Sequence, residues 1–133
     1  MSKIYAPVIL IVEDDSAIAR MIAAMLRGEG YQVQIAPDAE TAIAELPAVR
    51  PALITLDLSL PGLSAAAFLE QLRAAPHTAT LAVILITAEQ AIRPDIRALA
   101  DDLLPKPFGM DELIAQVQAT MSRAGSGWMQ AVA

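Results

Sequence analysis

Residues 53–62 read Leu-Ile-Thr-Leu-Asp-Leu-Ser-Leu-Pro-Gly. An unbroken apolar and β-branched run, Leu53-Ile54-Thr55-Leu56, is closed by an aspartate. A run of this kind suits a strand covered on both faces, as in a parallel sheet. A carboxylate at the end of such a strand has no simple structural purpose, because an unpaired buried charge is costly. Pro61-Gly62 then turns the chain.

Two similar runs lie on either side, Val8-Ile9-Leu10-Ile11-Val12 and residues 81–86, Leu-Ala-Val-Ile-Leu-Ile. A weaker strand, Gln32-Val33-Gln34-Ile35, alternates polar and apolar residues, and a fifth, Asp102-Leu103-Leu104, is short. Between them apolar residues return at helical spacing. Ile18, Met21, Ile22, Met25 and Leu26 form one stripe, and Met110, Leu113, Ile114, Val117 and Met121 another. Shorter stripes are Ala39-Ala42-Ile43-Leu46, Phe68-Leu69-Leu72 and Ile92-Ile96-Leu99. Asp15 or Ser16 can cap the first helix, Gly28 and Gly30 can end it, and Asp38 can cap the second. Five strands alternating with five helices predict a (βα)5 order and a three-layer α/β domain.

The 133 residues suffice for one domain, and 56% hydrophobic content supplies a core. With only 4% aromatic residues, that core is aliphatic. A net charge of −6 disfavours holding a phosphate backbone by bulk electrostatics. The absence of cysteine removes disulfides and thiolate chemistry, and the single histidine, His77, removes multi-histidine metal sites. No apolar run reaches membrane-spanning length, and the first residues lack a signal-peptide layout. These features predict a soluble, cytoplasmic protein with a domain over residues 1–123, a flexible tail over 124–133 and no output domain.

Ligands of open parallel sheets bind beyond the carboxyl ends of the strands. The residues at those ends are Glu13-Asp14-Asp15, Asp57 with Pro61-Gly62, Thr87-Ala88 and Lys106-Pro107-Phe108. Crowded carboxylates repel one another unless a cation sits among them. Hard oxygens without histidine or cysteine select Mg²⁺ or Mn²⁺. One carboxylate can then attack a phosphoryl group, while a hydroxyl and an ammonium receive its oxygens. Lysine is scarce, with only Lys3 and Lys106 in the chain, and prolines on both sides make Lys106-Pro107 a candidate cis peptide.

The four motifs, in this order, resemble the receiver domain of two-component response regulators over residues 7–123. The resemblance implies a flavodoxin-like sheet in order 2-1-3-4-5. It also implies that Asp57 is the phosphoacceptor, taking a phosphoryl group from a histidine kinase or phosphotransfer protein. Asp14 would ligate the metal directly, Glu13 through an outer contact, and Ser59 through its backbone carbonyl. Thr87 resembles the switch hydroxyl and Lys106 the phosphoryl-binding ammonium, whereas Asp15 is left to cap a helix. A signalling phosphoacceptor is implied rather than a conventional enzyme, with a protein partner on a face built from the fourth helix, fifth strand and fifth helix, no direct nucleic-acid contact and a possible homodimer.

Three departures from the family pattern fall in one region. Thr87 and Lys106 stand 19 positions apart, about one helical turn less than the family pattern. Leu99 replaces a usual glycine, and Leu103 occupies the aromatic switch position. Pro94 belongs at a helix start, which predicts a short fourth helix beginning there. A protein-interaction module that no longer switches is the alternative reading. A flavin carrier fits poorly because Glu13-Asp14-Asp15 would repel a phosphate. An aspartyl phosphatase fits poorly because Ser59 stands where a second aspartate is wanted. Read individually, His77 is a solvated loop residue, the methionines are core or interface packing rather than ligands, and Trp128 in the tail is either disordered or a contact to a partner.

Overall fold

The computed structural model describes residues 6–124. The predicted tail, Trp128 and Lys3 therefore lie outside the described residues, apart from Ala124. Strand β1 (Val8–Val12) leads to α1 (Ser16–Gly28), β2 (Gln32–Ala36) to α2 (Ala39–Val49), and β3 (Leu53–Asp57) to α3 (Ala65–Ala74). Strand β4 (Ala82–Thr87) leads to α4 (Pro94–Leu99), and β5 (Asp102–Pro105) to α5 (Met110–Ala124). All pairings are parallel and the sheet order is β2-β1-β3-β4-β5, the predicted flavodoxin-like topology.

The two-residue period of the strands sorts the core into two layers. Ile9, Ile11, Leu53, Ile84 and Ile86 face α1 and α5, where they meet Ile22, Leu26, Leu113 and Val117. Leu10, Val12, Ile54, Leu56, Val83 and Leu85 face the other way, against Ala39, Ala42, Phe68, Leu69, Leu72 and Ile96. Strands β3 and β4 are buried along their whole length, as their continuous apolar sequence requires.

Local signals explain most of the helix ends. The Asp15 carboxylate accepts from the Ala17 and Ile18 amides, and that of Asp38 from Thr41, so both caps fall where the sequence puts them. Helix α2 runs through Pro47 and stops at Arg50, which adopts a left-handed conformation with φ 48°. Helix α4 is short and starts at Pro94, which stands at its first turn with no side-chain cap before it.

The methionines divide between core and surface, Met121 being buried. Met21 and Met110 lie on apolar stripes yet are 41% and 53% exposed, because the buried side of α1 is carried by Ala19, Ile22, Ala23 and Leu26 and that of α5 by Leu113, Val117 and Met121. A stripe wider than the contact with the sheet leaves its margin in solvent.

Arg73, near the end of α3, has a role that no local sequence pattern marks. Its guanidinium donates to the carbonyls of Leu99 (2.8 Å), Ala79 (3.1 Å) and Leu81 (2.7 Å), and to the Asp101 carboxylate (3.2 Å). Asp101 in turn accepts from the Val83 amide at 2.8 Å. One side chain thus ties the end of α4 to the start of β4.

Candidate functional site

The parallel register brings the predicted residues to one edge of the sheet. Val12 of β1 pairs with Leu56 of β3, so the next residues, Glu13 and Asp57, emerge side by side. Glu13, Asp14 and Asp57 each place a carboxylate oxygen within 4.8 Å of the others. Glu13 and Asp57 are buried, at 3% and 4% exposure, while Asp14 opens to solvent. On the other side of β3, Thr87 ends β4, and its carbonyl accepts from the Lys106 amide at 2.8 Å. The Lys106–Pro107 peptide is cis, as its flanking prolines suggested.

The ammonium of Lys106 reaches back across the edge. It lies 3.2 Å from Glu13 Oε1 and 3.8 Å from Asp57 Oδ1. Asp57 Oδ1 also accepts from the Ser59 amide at 3.0 Å, and Glu13 Oε2 from the Asp15 amide at 3.2 Å. Thr87 is buried and its hydroxyl oxygen accepts from the Glu89 amide at 3.0 Å. Two of the three carboxylates thus share the Lys106 ammonium, and Asp14 is outside its reach. The imbalance shows at Glu13: burial pushes its carboxyl up to about 7, the hydrogen bond and charge of Asp57 add to the rise, and the Asp15 amide and Lys106 oppose it.

This donor set fits a hard divalent cation. It is all oxygen, it is short of positive charge, and one of its members is open to solvent. A groove of about 350 Å³ adjoins it, lined by Ile18, Met21, Ala88, Lys106, Pro107 and Phe108. A larger hollow of about 460 Å³ lies at the opposite ends of the strands, beside Arg50, Pro51, His77 and Leu81, and no carboxylate lines it. His77 is exposed there, as a loop histidine should be.

Residues 9–118 match the family described as the response regulator receiver domain. The chain belongs to the response-regulator receiver family. Among curated relatives, the sensory transduction protein RegX3 of Mycobacterium tuberculosis is 36% identical over 120 residues, covering 88% of this chain and 52% of that protein. The phosphate regulon transcriptional regulatory protein PhoB of Escherichia coli is 36% identical over 118 residues, covering 86% of this chain and 52% of that one. The receiver domain therefore spans about half the length of these relatives. The solved signal receiver domain of a signal transduction histidine kinase from Syntrophus aciditrophicus superposes with a TM-score of 0.80 at 32% identity, covering 88% of this chain and 91% of that one. Among the described residues of this receiver, no helix is long and apolar enough to cross a membrane.

Proposed function

We propose that this receiver is a phosphoacceptor. Asp57 takes a phosphoryl group from the phosphohistidine of a histidine kinase or phosphotransfer protein, in a step that depends on Mg²⁺ or Mn²⁺. The observation carrying this reading is the buried Asp57 carboxylate, grouped with Glu13 and Asp14 and faced by Lys106. A carboxylate oxygen of Asp57 attacks phosphorus; the new P–O bond forms as the P–N bond breaks, and the imidazole leaves with the electron pair. Glu13, Asp14, Asp57 and the Ser59 carbonyl are the residues that would hold the ion. When bound, the ion supplies positive charge against the phosphoryl oxygens.

Lys106 already stands within reach of Asp57 and supplies the second cationic contact. The Thr87 hydroxyl, one strand away, is the candidate for a further phosphoryl oxygen. Its shift would carry the state of Asp57 to a protein-binding face made by α4, β5 and α5. The net charge of −6 argues for a protein partner over direct contact with nucleic acid.

A second reading, a receiver that binds partners without switching, draws on two observations. Leu103 is aliphatic and half-buried in the α2–α3 layer, and the end of α4 is held by Arg73. Intact mass after incubation with acetyl phosphate tests the first reading. One phosphoryl adduct is expected, dependent on Mg²⁺ and absent from Asp57→Asn. A folded, Mg²⁺-binding chain that acquires no adduct from acetyl phosphate or a cognate kinase would favour the second.

A further inference from the structure

The segment joining β3 to α3 carries the Ser59 carbonyl, and its backbone is held at two points. At the near end the Ser59 amide donates to Asp57 Oδ1. At the far end the Leu63 amide donates to Glu40 Oε2, at 2.9 Å. Leu58, Leu60 and Leu63 rest half-buried on the apolar layer, while Ser59, Pro61 and Gly62 are exposed. Among the described residues, no other hydrogen bond ties residues 60–63 to a different element.

Gly62 makes this contact possible. Its φ is +72°, a conformation that L side chains rarely adopt. A Cβ on Gly62 would stand 2.9 Å from Glu40 Oε2 and 3.2 Å from Oε1, so the carboxylate occupies the space of the missing side chain. Glu40 and Gly62 are thus fitted to each other from elements 22 positions apart in sequence.

We propose that Glu40 is a positioning residue: its carboxylate grips the far end of residues 58–63 and so holds the Ser59 carbonyl in place for the metal ion. This inference rests on the reading of the site given above. The plainer role for an acidic residue in the first turn of α2 is to complement the helix dipole. The two roles separate chemically, because the dipole responds to charge whereas the grip needs only an acceptor oxygen.

The test is Mg²⁺ titration by calorimetry on the full chain, with amide exchange at Leu63 in the metal-free protein and urea unfolding as a control. Glu40→Ala should weaken Mg²⁺ roughly three- to tenfold, less than the roughly ten- to hundredfold cost of losing a direct partner of a metal ligand because Glu40 acts through the loop backbone, and speed exchange at Leu63. Glu40→Gln keeps the acceptor and should stay within about twofold of wild type. Gly62→Ala should displace the carboxylate and, with its added backbone strain, weaken Mg²⁺ at least as much as Glu40→Ala, and adding Glu40→Ala to it should cost nothing further. Wild-type affinity in Glu40→Ala, or equal loss in Glu40→Gln, overturns the grip and leaves the site reading intact. A wild-type chain that takes up no Mg²⁺ overturns both.

Discussion

The carboxylate pocket and the α4–β5 flank balance charge in opposite ways. In the pocket, Glu13, Asp14 and Asp57 crowd together, only Glu13 and Asp57 are met by the Lys106 ammonium, and the Glu13 carboxyl is pushed up to about 7 chiefly by burial. On the flank, charges are matched within the fold: Arg73 with Asp101, Arg93 with Asp95, and Asp102 with both Arg97 and Arg123. The flank is complete as it stands, whereas the pocket lacks positive charge. A deficit of countercharge at a buried cluster marks where a ligand belongs, and a closed set of pairs marks where the fold supports itself.

Cutting the tightest link of the flank should give the largest change. Arg73→Ala strands the carbonyls of Leu99, Ala79 and Leu81 and leaves Asp101 without its cation. A loss of about 2–4 kcal/mol in urea unfolding is expected. A loss below about 1 kcal/mol would mean that water replaces the guanidinium, and the contrast with the pocket would weaken.

Removing charge from the pocket should act with the reverse sign. The Glu13 carboxyl titrates at about 7 in the folded protein against an ordinary value of 4.5, so the folded state holds the extra proton between those values. That contribution to stability is fully present below about 4.5 and is lost as pH rises through about 7. Glu13→Gln should therefore stabilise the metal-free chain at pH 8 by about 1–2 kcal/mol and by less at pH 5. Wild-type affinity for Mg²⁺ should rise about tenfold from pH 6 to pH 8, as the carboxyl gives up its proton. A stability profile that is flat over this range would contradict the charge deficit.

The smallest effect belongs to the outer flank. Arg123 is 57% exposed in its pair with Asp102, so Arg123→Ala should change stability by about 0.5 kcal/mol or less. A much larger change would place the outer pairs beside Arg73 as structural links.

How far the sequence could be read follows the range of the interactions. Helix caps and the late start of α4 at Pro94 come from local patterns, whereas the strand order comes from the family resemblance, which also brings Glu13, Asp14, Asp57 and Lys106 to one edge. Arg73 and Glu40 were not legible. Each reads as an ordinary charged residue on a helix, and each reaches a partner 23 or more positions away, Leu63 for Glu40 and Leu99 and Asp101 for Arg73. The exposure of Met21 is hidden for a related reason: periodicity marks an apolar face but not how much of it the sheet covers.

The strands that bear the site also divide it. The three carboxylates follow β1 and end β3, in the middle of the sheet, whereas Lys106 follows the edge strand β5. Edge elements open more readily than central ones, so the lysine and the acidic cluster can belong to different cooperative units. Opening of the edge would expose a cation trap that has lost its internal counter-ion while its carboxylates stay in register. Metal held under those conditions would stabilise the partly open form as well as the closed one, making protection of β5 a separate quantity from protection of β3.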